Sequence, residues 1–295
     1  MRNTVLGTLA AVTAATALTL GPAATSYGDG GTSSREGSGS SGSYHDGLRV
    51  IGLSDGGTRL VRFSTDRPGY AYSIGAVSGL AGDTRLVGID FRAADGRLYG
   101  LGNQGGIYTL DVTSARAARF GQLSVALEGT QFGVDVNPAA DALRVVSNTG
   151  QNLRQAFSTP AGPTSVDGRL STPPTAGDTT GVTGAAYTNN DTNPDTATTL
   201  FDISTGGDQV LVQAPANLGT LSPTGKLGRD ATGDAGFDIY SVVRDGTAVR
   251  VKAFATLNVG GRRGLYRINL LNGRASLIGG LNSSVVDIAI PLNQL

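Results

Sequence analysis

The stretch VGIDFRAADGRLYGLG, residues 87–102, has the alternation of two short β-strands joined by a turn. Related stretches recur as FGVDVNPAADALRVVS from Phe132 and as GFDIYSVVRDGTAVRVKAFA from Gly236. Aligned on a Gly/Val-x-Asp core, the copies carry an aspartate at four positions and an alanine at a degenerate fifth: Asp90, Asp135, Ala186, Asp238 and Asp287. The intervals of 45, 51, 52 and 49 residues between them suit one four-stranded propeller blade per repeat.

The sequence around these copies predicts an all-β fold. From Leu48 onward, short apolar–polar alternations are separated by Gly, Asp, Asn and Thr, without a 3.6-residue apolar stripe. The first unit, Leu48 to Leu80, has three recognisable strands, whereas the C-terminal VVDIAIP forms an unmatched one. If that strand becomes the innermost strand of the first blade, a five-bladed β-propeller closes without an exposed edge. A six-bladed or irregular ring is the alternative, should the long middle unit supply extra strands.

The N-terminal segment predicts export. Residues 1–27 combine a basic start, an uncharged apolar run and the small-residue stretch GPAATSYG, which is typical of a secretory signal peptide. Residues 28–47 are rich in Gly and Ser and predict a flexible linker, so the β-propeller domain is expected at 48–295. No other apolar run is long enough to cross a bilayer. We expect a secreted, extracellular or cell-surface protein without a membrane span.

The composition excludes several classes of function. Charged residues make up 16% of the chain and the formal net charge is zero, so no positive field favours nucleic acid. Cysteine is absent, so the fold depends on burial and hydrogen bonding alone. The single histidine, His45, lies in the predicted linker. This excludes a Cys–His dyad, a Ser–His–Asp triad and a histidine-ligated zinc site in the folded domain.

The repeated aspartates have two interpretations. In the structural one, Asp90, Asp135, Asp238 and Asp287 each accept a backbone N–H from the neighbouring blade and satisfy a buried junction. In the other, their carboxylates point into a central channel and bind Ca²⁺, which favours several oxygen ligands. We prefer the structural interpretation, because a residue that recurs in every blade is typical of a scaffold. Ala186 interrupts any complete ring of acids.

A carboxylate-dependent glycan hydrolase or lyase survives these exclusions, since glycosidases need only two acids flanking the sugar bond. Aspartates in a central channel could supply such a pair. However, the sequence singles out no acid pair and contains no Trp to stack on a sugar ring. We name no catalytic residue and no cofactor, and we favour a protein that is not an enzyme.

Two polar stretches are candidates for ligand binding: SNTGQNLRQ, residues 147–155, and YTNNDTNPD, residues 187–195. Amide side chains both donate and accept hydrogen bonds, which suits hydroxyl-rich or peptide-like ligands. Loops on a rigid β scaffold are also common binding positions. The candidate ligand-binding residues are Asn148, Gln151, Asn152, Arg154, Tyr187, Asn189 and Asn190. The alternative is that these side chains stitch long loops to themselves.

The segments RLYGLGNQGGIYTLD, FGVDVNPAADALRVVSNTGQNLR, AAYTNN, TTLFDI and LYRINLLNG together resemble the bacterial family known as domain of unknown function 4394. The resemblance covers about residues 48–292. It implies a secreted or surface-associated propeller-like domain and transfers no activity. Our leading hypothesis is an extracellular binding module for an unknown glycan, peptide or protein, and we expect it to be a monomer.

Overall fold

A computed structural model describes residues 47–193 and 195–295 of the chain. The predicted signal peptide and all of the predicted linker but its last residue lie outside the described residues. The described part contains twenty β-strands, β1 to β20, and two single-turn 3₁₀ helices, Asp55–Gly57 and Ala216–Leu218. The strands form five four-stranded antiparallel sheets, which are the five predicted blades. No helix in these residues is long and apolar enough to cross a bilayer.

The blades follow one another along the chain, and only the first combines distant segments. In the first blade, β20, β1, β2 and β3 cover Asp287–Ala289, Arg49–Ser54, Arg59–Ser64 and Arg67–Ala76. In the second, β4 to β7 cover Leu86–Phe91, Leu98–Gly102, Gly106–Leu110 and Ala117–Gln122. In the third, β8 to β11 cover Phe132–Asn137, Ala142–Ser147, Asn152–Ala156 and Ser165–Val166. In the fourth, β12 to β15 cover Val182–Tyr187, Leu200–Ser204, Gln209–Gln213 and Leu221–Lys226. In the fifth, β16 to β19 cover Ala231–Arg244, Thr247–Val259, Arg262–Ile268 and Ala275–Gly280.

The ring closes as predicted, through the C-terminal strand. Strand β20 pairs antiparallel with β1, with Ile51 opposite Ala289 and Leu53 opposite Asp287. It thereby becomes the innermost strand of the first blade. The innermost strands of all five blades then contact their neighbours in the cyclic order β20, β4, β8, β12 and β16. The five-bladed propeller is confirmed, and the six-bladed alternative is not.

The innermost strands approach one another closely, which explains the glycine of the Gly-x-Asp repeat. Strands β4 and β12 are buried along their whole length. A Cβ atom on Gly133 would lie 2.5 Å from the backbone nitrogen of Ala185 in the next blade, closer than side-chain carbons come to backbone. A larger residue at this position would push the third and fourth blades apart.

The apolar core consists of five clusters, and each cluster fills the space between two adjacent blades. Between the second and third blades, for example, Tyr99 meets Phe157 edge to face, with ring centroids 4.8 Å apart. Strand alternation directs one face of each sheet into one cluster and the other face into the next. Thus Leu60 of β2 packs toward the second blade, whereas Phe63 packs toward the fifth.

The third blade differs most from a regular four-stranded sheet. Its outermost strand, β11, is only two residues long. The chain leaves the sheet there because the backbone of Gly168 donates to Asn217 O at 2.9 Å and Ser171 pairs with Thr220, both in the fourth blade. The fifth blade differs by having longer strands, since β16 and β17 are 14 and 13 residues long.

Candidate functional site

A groove of about 870 Å³ lies between the first and second blades. Its wall on the first blade carries three arginines and two tyrosines: Arg49, Arg62, Arg67, Tyr70 and Tyr72. The second blade contributes Phe91 at the end of β4 and Val112 and Thr113 beyond β6. This volume lies within the range of about 300–1,000 Å³ that is typical of ligand pockets.

The register of the first blade brings the arginines and tyrosines together. Across the sheet, Arg62 lies opposite Ile51 on one side and Tyr72 on the other. Two residues further along, Ser64 lies between Arg49 and Arg67. These residues form two rows across the sheet, Ile51–Arg62–Tyr72 and Arg49–Ser64–Arg67. Residues two positions apart in a strand share a face, so both rows face the second blade.

The side chains of this groove are accessible. Tyr70 and Tyr72 are 67% and 63% exposed, which is unusual for aromatic residues in a folded domain. Arg62, on the neighbouring strand β2, is also exposed. Asp66 lies beside Arg67, with 4.0 Å between carboxylate and guanidinium, and partly offsets its charge. No acidic residue lines the groove itself among the residues that the structure describes, so its surface is positive and aromatic.

Three of the residues predicted in loops lie in strands instead: Asn152 and Arg154 in β10 and Tyr187 at the end of β12. They gather at a second place, around the buried guanidinium of Arg144. Asn152 accepts from Arg144 Nη1 at 2.7 Å, and the Tyr187 hydroxyl accepts from Nε at 3.2 Å. Arg154 reaches the same cluster through Asp167, which also pairs with Arg144 Nη1 at 2.7 Å. Arg144 is 1% exposed. These side chains therefore join the third blade to the fourth.

The other four predicted residues hydrogen-bond within their own loops or to adjacent blades. Asn148 accepts from the amide of Thr130 at 3.0 Å, and the buried Gln151 accepts from Glu128 N at 2.9 Å. Asn189 donates to Ala197 O, and the amide of Asn190 donates to Ser241 Oγ at 3.0 Å. All seven residues have intramolecular partners, and their role in ligand binding stays a prediction.

Sequence reasoning missed the buried carboxyl of Asp202 on β13. Its side chain is fully buried, and neither carboxylate oxygen has a hydrogen-bond partner within the described residues. Burial raises the pKa of Asp202 to about 8, against the attraction of Arg144, which lowers it. The signal in the sequence was LFDIS, an acid in the middle of a buried strand.

The four repeated aspartates lie on the innermost strands and bond to the neighbouring blade. Asp287 accepts from the amide of Ile89 and Asp90 from that of Val136, both at 2.8 Å. Asp135 accepts from Tyr187 N at 3.1 Å and Asp238 from Ile290 N at 2.5 Å. The fourth blade has Ala186 at this position and makes no such contact. Four of the five junctions thus contain the same side-chain to backbone bond.

These carboxyls also converge. Oxygens of Asp90, Asp135 and Asp238 lie within 4.8 Å of one another, and all three side chains are buried. Burial raises the pKa of Asp90 and Asp135 well above the usual range, and repulsion from neighbouring carboxylates raises it further. Burial likewise raises the pKa of Asp238 to about 7. A sugar cannot reach acids buried in this way, so the arrangement does not favour the hydrolase alternative.

Several solved structures are similar in backbone course. A chain of a nidogen–laminin complex is 8% identical, with a TM-score of 0.48 over 84% of this chain and 100% of its own. A Bacteroides thetaiotaomicron protein of unknown function is 15% identical, with a TM-score of 0.44 over 83% and 67%. TolB from Acinetobacter baumannii is 14% identical, with a TM-score of 0.40 over the same shares. These likenesses carry no statement about function.

The family comparison gives a more definite result. No curated protein matches the sequence. The model of one family, described as domain of unknown function (DUF4394), matches residues 59–289, which include every strand of the five blades except β1. The chain therefore belongs to the DUF4394 family, and its fold there is a five-bladed β-propeller.

Proposed function

We propose that the protein is a secreted binding module, and that it takes an anionic glycan into the groove between the first and second blades. The observation that carries the proposal is that three arginines and two exposed tyrosines of the first blade line one groove, with Arg62 opposite Tyr72 in the sheet. The fold alone names no ligand. The side chains of the groove supply the chemistry.

The tyrosines favour a ligand with flat, weakly apolar faces. Tyr70 and Tyr72 lie on the same face of β3, about 7 Å apart along the strand. Each ring has an apolar body and a polar hydroxyl tip, which suits a surface that is apolar at one end and wet at the other. Sugar rings offer such faces in succession. Their hydroxyls also suit the backbone and Ser64 along the groove wall.

The arginines favour a negative charge on that ligand. A guanidinium binds a carboxylate or sulfate through two parallel hydrogen bonds, and such charge-assisted bonds are about twice as strong as neutral ones. Arg62 on β2 lies opposite Tyr72 on β3. Arg49, on β1, lies opposite Ser64, two residues along β2 from Arg62. Uronic acids and sulfated sugars combine both features that the groove recognises.

Binding of defined oligosaccharides tests the proposal. Oligogalacturonates and heparin oligosaccharides supply carboxylates and sulfates, and neutral xylo-oligosaccharides of similar length serve as the matched control. We expect binding of at least one acidic series, weakening with added salt because exposed charges are screened. Equal binding of neutral and acidic sugars would remove the anionic part of the proposal. Preference for a poly-aspartate peptide would replace the glycan with an acidic protein.

Variants locate the site. Arg62→Gln should weaken binding about 10- to 100-fold, as for loss of a charge-assisted bond. Tyr72→Ala should weaken it, while Tyr72→Phe, which keeps the ring, should retain most affinity. Arg250→Gln, at an exposed arginine of the fifth blade, is the control. If Arg154→Gln alone abolished binding, the predicted loop site would replace the groove.

Secretion is tested separately. The full-length chain, expressed in a bacterial host, should appear in the culture medium or at the cell surface without residues 1–27. A variant lacking those residues should stay inside the cell. Retention of the full-length chain in the cytoplasm would remove the extracellular part of the proposal and leave the groove unaffected.

A further inference from the structure

We infer that Asp90, Asp135 and Asp238 hold a divalent cation of the calcium type where the innermost strands meet. The inference is independent of the groove, which lies on other residues. The three acids come from the second, third and fifth blades. The innermost strands of these three blades each bring one carboxyl to the cluster, since oxygens of all three lie within 4.8 Å of one another.

Three carboxyl oxygens within 4.8 Å of one another can bind a single cation. Ca²⁺ takes six to eight oxygen ligands in a flexible geometry, whereas Mg²⁺ requires a nearly ideal octahedron and usually keeps several waters. A buried cluster of three carboxyls therefore suits Ca²⁺ better than Mg²⁺. Only oxygen ligands are present, which selects a hard cation over zinc or copper.

Asp238 supplies an observation beyond the proximity of the acids. One of its oxygens, Oδ2, accepts from Ile290 N, while the other, Oδ1, is buried and has no hydrogen-bond partner in the described part of the chain. The residue is 2% exposed, so water does not reach that oxygen freely. Buried acceptors almost always have a partner. An ion among the three carboxyls would be that partner.

The charges lead to the same conclusion. No ion pair joins these three acids to an arginine or lysine within residues 47–193 and 195–295. Buried carboxylates without a counterion must either take up protons or bind a cation. A divalent ion would neutralise most of this charge and tie three blades together.

The site would also explain why the ring tolerates Ala186. Three carboxylates from three blades supply a ligand set, and Ca²⁺ completes its shell of six to eight oxygens with backbone carbonyls or water. The fourth blade can then lack an acid without loss of the ion. In this arrangement Asp238 has two tasks, since Oδ2 accepts from Ile290 N and Oδ1 is available to the metal.

Calorimetric titration with CaCl₂ tests the inference. The purified protein, without the predicted signal peptide of residues 1–27, is first treated with EDTA and desalted. We expect about one ion per chain, and a melting temperature raised by about 5–10 °C when Ca²⁺ exceeds its dissociation constant a hundredfold. MgCl₂ should bind more weakly. Asp238→Asn should weaken Ca²⁺ binding at least about tenfold, as expected for loss of a charged ligand. If that variant does not fold, Asp90→Asn replaces it.

Asp202→Asn is the matched control, because Asp202 is equally buried but lies outside the cluster. It should bind Ca²⁺ like the wild type. Equal loss of binding in this variant would refute the assignment of the site. A flat calorimetric trace for the wild type with Ca²⁺ and Mg²⁺, together with no metal in the untreated protein by mass spectrometry, would overturn the inference and leave protons as the neutralising species.

Discussion

Asp287 Oδ2 accepts a 2.8 Å hydrogen bond from the backbone amide of Ile89. Asp287 belongs to the C-terminal strand of the first blade, and Ile89 to the innermost strand of the second. Strand β20 is therefore held twice, by its backbone ladder to β1 and by a side chain to β4. The side-chain contact adds a second attachment to a strand of only three residues.

Replacing Asp287 tests that contact. Asp287→Ala removes the acceptor and leaves the buried Ile89 amide unpaired, which costs about 1–3 kcal/mol of unfolding free energy. Asp287→Asn keeps a carbonyl oxygen in the same place and should lose clearly less. Urea denaturation in EDTA measures both variants without any contribution from bound metal. Equal losses in the two variants would show that the hydrogen bond is not what stabilises this strand.

Gly133→Ala tests the close approach of the third and fourth blades. The new Cβ would lie 2.5 Å from Ala185 N, so the strands must separate, at a cost of about 1–3 kcal/mol for overpacking. Gly280→Ala is the control, because a Cβ there has no atom within 4 Å. The thermal midpoint should fall in the first variant and hold in the second. An unchanged midpoint for Gly133→Ala would contradict the close packing.

Arg144 and Arg154 share a carboxylate but differ in burial, and this difference predicts their stability effects. Arg144→Met leaves the amide oxygens of Asn152 and Asn217 without their charged donor and leaves Asp167 with Arg154 alone, and should cost about 3–5 kcal/mol. Arg154 is 33% exposed, so Arg154→Met should cost about 0–1 kcal/mol. Denaturant titration separates them. Similar losses would mean that Arg144 is not the centre of the cluster.

Asp202 predicts a pH dependence of stability. Burial raises its pKa to about 8, so the folded state keeps its proton up to that pH, while the unfolded chain releases it near pH 4. The neutral acid therefore stabilises the fold fully below pH 4, and that stability is lost as pH rises toward 8. Asp202→Asn removes the effect, since the amide has no proton to lose.

Relative to the wild type, Asp202→Asn should gain stability progressively between pH 4 and 8, up to about 5 kcal/mol. Above pH 8 the gain should level off. Chemical denaturation at several pH values gives the difference, with Asp230→Asn as a control at an exposed acid. A difference that does not change with pH would show that Asp202 is ionised in the folded protein.

The repeat made the architecture predictable, because the Gly-x-Asp spacing counts blades and the unmatched VVDIAIP strand implies closure. The groove was not predictable in the same way. Arg62 and Tyr72 are ten residues apart in sequence, and only the register of β2 with β3 makes them neighbours. The alternation in RVI (49–51), RFS (62–64) and YAY (70–72) indicated which residues of each strand share a face. It did not indicate which strands align.

The predicted loop site shows a different limit. Asn152 and Tyr187 looked like ligand-binding residues because amides and hydroxyls recognise ligands and loops equally well. The structure places both against Arg144, a residue inside the buried ALRVVS strand. A charged residue in an apolar strand was the sequence signal for a buried polar cluster. Its partners lie up to 73 residues away, beyond the reach of local pattern.

The pairing of β20 with β1 also sets an order of assembly. Ribosomes deliver the chain from its N-terminus, so four blades can form their hairpins while the first still lacks its innermost strand. That vacancy persists until residues 287–289 emerge. The circle therefore closes only after all five blades have been synthesised, and the first blade is the last to be completed.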